Sequence, residues 1–191
     1  ASSKELSVVL NPLFIAGFGV SVSLFLTYWL MKKEVNIVTR FFTLDIDFYK
    51  TLVLVAFVLV TYFTGLLEIN YQANQYLENT ASARSFPVTY HFVFVALLLF
   101  FAEKLKKKNI EKVVLLISCI SIFLFIVNLC GLPSNEIVQN LVLSLDSKYA
   151  FYFHYIILGC LSYFGFQLFT KISTVFNIKP IQSKWLPWLF I

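Results

Sequence analysis

Four polar residues in or beside long apolar runs could do chemistry together: Glu68, His91, Asn128 and His154. A carboxylate with two imidazoles can relay protons, bind a metal, or act as a base toward a substrate. Polar groups in lipid are costly, so each of the four raises the question of what it is for. Glu68 also opens a stripe with Tyr71, Gln72 and Gln75 at helical spacing, and Arg84 follows it. The plain alternative is an interfacial belt, in which His and Tyr rings sit among headgroups and Glu68 is simply wet. No metal site is expected, because two histidines and one glutamate on separate segments lack ligand spacing. Asp45 and Asp47 form a second acid pair, of a kind that can hold a divalent metal on a nucleotide sugar, and are read as solvated loop carboxylates. No cofactor is expected either: there is no P-loop, GxGxxG, GxSxG, HExxH or paired CxxC.

The elements that position these residues follow from composition. With 59% hydrophobic and 13% charged residues among 191, the chain lies outside the range of soluble domains. Five apolar runs, 12–31, 51–67, 87–102, 113–132 and 149–170, approach the roughly 20 residues that cross a hydrocarbon core as a helix. They are apolar all round and lack the two-residue alternation of barrel strands, so helices satisfy the backbone. The expectation is an all-α polytopic transmembrane helix bundle of five spans, forming one transmembrane domain over 1–191. The sequence at 184–191, KWLPWLFI, reads as the start of a sixth span, and the chain as part of a larger polytopic protein.

Charge orients the spans. Lys and Arg number one before the first run (Lys4), four after it, one in the second loop (Arg84), five in the third, one in the fourth (Lys148) and three at the end. By the positive-inside rule this alternation predicts an outside N-terminus and a cytoplasmic C-terminus. The five lysines of 103–112, EKLKKKNIEK, anchor the assignment, and Trp29, Trp185 and Trp188 then fall at the cytoplasmic interface. In this frame Glu68, His91, Asn128 and His154 share a depth near the outer face, His91 about 6 Å and His154 about 7.5 Å inside it. The lysines flank spans and face anionic headgroups, so lipid is the expected partner and nucleic acid is not.

Smaller features complete the pattern. Gly17 with Ser21 and Gly19 with Ser23 are small pairs four residues apart that would admit a neighbouring helix. Residues 35–42 suit a short interfacial helix. Pro133 is read as closing the fourth span, and 134–145 as an amphipathic segment with Ile137, Val138, Leu141 and Leu145 on one face. Cys119, Cys130 and Cys160 read as packing residues; the first two would lie about 16 Å apart on one helix.

The segments YFTGLLEINYQ (62–72) and FYFHYIIL (151–158) resemble a family of large many-span bacterial membrane proteins of unknown function, common in Bacteroidota. The resemblance implies a piece of a larger protein and brings no activity with it. Three functions compete. The first is a non-catalytic multi-spanning protein, fragment or subunit associated with other transmembrane helices, in an inner or plasma membrane. The second is a transporter or channel-like component with an outward polar site, which predicts a broken helix, with Gly159 and Gly165 the nearest candidates. The third is a membrane transferase acting on lipid-linked substrates, with Glu68 and a histidine as acid or base.

Overall fold

The computed structural model describes residues 12–31, 46–77, 81–105, 108–142 and 152–175. The expected interfacial helix at 35–42, Asp45, Lys106, Lys107, Leu145 and the sixth-span start at 184–191 lie outside the described residues. Among those described, every regular element is helical, and five helices are long and apolar enough to cross a membrane. They are α1 (Pro12–Met31), α2 (Ile46–Leu77), α3 (Ala81–Leu105), α4 (Lys108–Leu124, apolar on to Leu129) and, after the short α5 (Gly131–Ile137), α6 (Phe153–Val175).

At 32 residues, about 48 Å, α2 is longer than a hydrocarbon core of roughly 30 Å, as the helical spacing of the stripe from Glu68 onward predicts. Two boundaries differ from the sequence expectation, each for a local reason. Pro87 lies inside α3 and not in its first turn, since the helix starts six residues earlier at Ala81. Pro133 does not end the helical path. After α4 the chain makes a π-helical turn over Phe125–Leu129, with the Cys130 N–H bonded to the Phe125 carbonyl at 2.9 Å. Helix α5 then restarts with Pro133 in its first turn, where a missing N–H costs nothing, and a second π turn follows over Val138–Val142. Gly159 and Gly165 lie in unbroken helix.

Hydroxyls in the spans satisfy themselves on their own helix. Ser21, Ser23, Thr27, Thr61, Thr89, Ser118, Ser121, Ser162 and Thr170 each donate to the carbonyl four residues back. An apolar solvent offers no other acceptor, so this back-bonding lets small polar residues sit in lipid.

The chain forms two compact units, Ala1–Gln72 and Ala73–Ile191. In the first, α1 and α2 run antiparallel: Gly17 lies against Thr64, and eight residues on the Phe25 ring packs tilted against Phe57, 5.7 Å between ring centres. A methyl at Gly17 would sit 2.6 Å from Thr64 Cγ2, so only glycine permits this approach, and Ser21 one turn on is buried. The second small pair does not pack: a Cβ at Gly19 meets nothing within 4 Å and Ser23 is exposed.

The second unit is a three-helix bundle of α3, α4 and α6. Phe92, Val95, Leu99 and Ala102 of α3 meet Val114 and Leu115 of α4 and Ile157, Phe164 and Leu168 of α6. Phe92 lies 6.0 Å from Phe164 and 5.7 Å from Phe125, and fixes the register of all three helices. Outside this seam Leu97, Phe101, Leu116, Phe123, Leu158 and Phe166 are exposed, an apolar surface suited to the bilayer.

Candidate functional site

The inward seam of α3 begins polar and turns apolar: Ser82, Ser85 and Thr89 precede Phe92, Val95, Leu99 and Ala102 at steps of three or four residues. The polar start needs a partner, because buried hydroxyls left unbonded are costly. Glu136 of α5 supplies it. Its carboxylate is fully buried, at 0% exposure; Ser82 donates to Oε1, and Ser85 to Oε2 at 3.3 Å. His154, at the start of α6, bonds through Nε2 to the same Oε2 and is itself nearly buried. Three side chains from two helices thus converge on the carboxylate of a third. Beside them Phe86 and Phe153 pack ring to ring at 4.5 Å.

Register explains the convergence. From the Phe92–Phe125 contact, ten residues back along α3 lead to Ser82 and eleven on from Phe125 lead to Glu136, similar rises of about 15 Å. From Phe164, ten residues back lead to His154.

The electrostatics follow from these contacts. Burial pushes the Glu136 carboxyl up, as loss of water disfavours the charge. Hydrogen bonds from His154 and Ser82, the charge on His154 and the bond from Ser85 together outweigh burial and hold Glu136 below the ordinary carboxylate range. A carboxylate surrounded by donors is the arrangement of an ionised acid, and the imidazole is the partner able to carry the counter-charge.

Of the four residues singled out from sequence, His91, Asn128 and His154 lie in the second unit and Glu68 in the first. His154 joins Glu136. His91 bonds through Nε2 to Ser121 Oγ at 3.0 Å, and Ser121 spends its own proton on the Ile117 carbonyl at 2.9 Å. The serine therefore accepts, and His91 carries a proton on Nε2. His91 lies six residues beyond Ser85 on α3, about 9 Å deeper than the Glu136 cluster. Glu68, in the first unit, accepts from Gln72 at 2.9 Å, so the stripe forms as an intrahelical pair. Asn128 is exposed in the π turn; Tyr71 is half-buried, and Gln75 and Arg84 are exposed.

Glu136 itself was not among the residues singled out. The signal lay in continuing the inward stripe of α4, Leu115, Ser118, Ser121, Phe125, Leu129 and Leu132, which reaches Glu136 once Pro133 is allowed inside a helix. The amphipathic pattern of 134–145 holds where described: Ile137 and Val138 are exposed and Glu136 turns inward.

At the opposite end of the unit Lys171 of α6 holds Glu103 of α3 at 3.1 Å and Glu111 of α4 at 2.9 Å. Lys104 caps the Phe100 ring at 5.0 Å. This clasp lies where the lysine-rich turn joins α3 to α4.

Searches against protein-family models, curated proteins and solved structures found no match to this chain.

Proposed function

We propose that this chain is a non-catalytic component of a membrane assembly, in an inner or plasma membrane, with its N-terminus outside and its C-terminus in the cytoplasm. The observation that carries the reading is the closure of the Glu136 cluster. Both carboxylate oxygens are engaged by protein donors and the side chain has no exposed surface, whereas a catalytic acid must reach its substrate. The cluster serves to join α3, α5 and α6, with the lysine clasp doing the same at the cytoplasmic end. Orientation rests on the alternation of Lys and Arg along the chain. Association with further helices is supported by α1, where Gly19 and Ser23 stand open on the surface.

Two measurements test this. In a chain with Cys119, Cys130 and Cys160 replaced by alanine, a membrane-impermeant maleimide applied to intact cells labels Asn135→Cys and spares Asn109→Cys; the reverse pattern overturns the orientation. For the non-catalytic role, loss of any cellular function in Glu136→Gln tracks loss of protein from the membrane. A variant present at the normal level and inactive would make Glu136 catalytic and end this reading.

A further inference from the structure

From the way α5 is attached, we infer that Glu136 and His154 form a proton-operated latch, closed when the carboxylate is ionised and released when it takes up a proton. Helices α3, α4 and α6 share an apolar seam, whereas the one buried residue of α5 is Glu136. Its neighbours Ile137 and Val138 are 40% and 49% exposed and turn away from the bundle. Beyond the half-buried Leu132 and Pro133 at its start, docking of this segment therefore depends on one ionisable side chain. Helix α5 also lies between two π-helical turns, Phe125–Leu129 and Val138–Val142, where the regular hydrogen-bond ladder is interrupted and a helix bends most readily.

The groups that face Glu136 are few. Helix α3 presents the hydroxyls of Ser82 and Ser85, and α6 presents His154. Among the described residues His154 is the one charge acting on the carboxylate; Arg84, the charged residue at this end of α3, is exposed. Protonating Glu136 removes the attraction to the imidazolium and turns one acceptor position into a donor. That new O–H meets three groups already placed to donate. The ligand is thus a proton, and its binding frees α5 and opens the carboxylate and imidazole to water. The inference concerns the second unit alone and goes beyond the orientation and non-catalytic role proposed above.

Its test is a distance measured as pH changes. With the native cysteines replaced by alanine, spin labels on Asn135→Cys of α5 and Leu158→Cys of α6 report their separation in the purified full chain, in detergent or nanodiscs. At about pH 7.5 a single narrow distance is expected, and as pH is titrated down through the Glu136 value, itself below the ordinary carboxylate range, a longer and broader one with helix content unchanged. Glu136→Gln, which cannot ionise, should lose this pH response. Removing the two neutral donors in Ser82→Ala/Ser85→Ala should raise the release midpoint by about two pH units, since each hydrogen bond to a charged group contributes about one. An unchanged distance distribution overturns the latch. So does a response that survives in Glu136→Gln, or broadening that appears only with loss of helix. Should Glu136→Gln not insert, the double serine variant decides: a midpoint that stays in place overturns the proposal.

Discussion

The two ends of the second unit solve one problem in opposite ways. Each joins three helical segments through a charged group. At the glutamate–histidine end an acid with no exposed surface is surrounded by donors from α3 and α6. At the lysine end a cation takes two acids, and the Lys171, Glu103 and Glu111 side chains keep 18%, 47% and 14% of their surface exposed. Water can replace a partner at the second end and not at the first. A buried charge that loses its partner is strongly destabilising, whereas an exposed pair contributes little. The glutamate end therefore makes the bundle specific and vulnerable, while the lysine end adds a tolerant clasp.

The sharpest way to break this contrast is to remove each centre in turn. Glu136→Ala should destabilise the second unit by about 3–5 kcal/mol, the usual cost of breaking a buried pair by deleting one partner. Thermal unfolding in detergent measures it, and a loss no greater than that of Lys171→Met would dissolve the distinction. Deleting the neutral donors is milder: Ser82→Ala/Ser85→Ala should cost about 2 kcal/mol, because His154 still faces the carboxylate.

Acid provides a reversible version of the first deletion. Glu136 is held below its unfolded value, so its stabilising contribution is complete above about pH 4.3 and is lost as pH falls through the lower folded-state value. A chevron or melting series should show that loss in the native chain and not in Glu136→Gln. The smallest effect belongs to the other end. Lys171→Met should cost about 1 kcal/mol and shrink further as salt rises toward 1 M, where screening is strong. The Glu136 contribution should hold over the same salt range, and equal sensitivity at both ends would show that water reaches the glutamate.

Much of this arrangement was legible in the chain, and the exceptions have physical causes. The span 12–31 coincides with α1, because an unbroken apolar run between polar flanks leaves the helix no other limits. Helix α2 continues through the polar stripe as its spacing predicts, whereas α3 starts six residues before Pro87, since a helix continues past its apolar core wherever the backbone is not interrupted. The sequence marks His154 as a polar group in need of a partner, and Glu68 bonds Gln72 on its own helix within the first unit. The acid that meets His154 comes from a stretch read as an amphipathic segment lying on the membrane or capping the bundle, after a proline read as a stop. Lys171, counted only for orientation, is the centre of a three-helix clasp.

By itself the sequence determined that the protein is helical, with five runs long and apolar enough to cross a membrane, and which residues fall near the ends of those runs. These follow from hydrophobic length and from period along a single chain, both local properties. Only the tertiary structure decided which polar groups meet. Depth can be read from position along a helix, but meeting also requires rotation about the helix axis and register against a neighbour. Phe92 packing against Phe125 and Phe164 sets that register. With it set, Glu136 comes to His154, Ser82 and Ser85, while His91, about 9 Å deeper along the same helix, finds Ser121 instead.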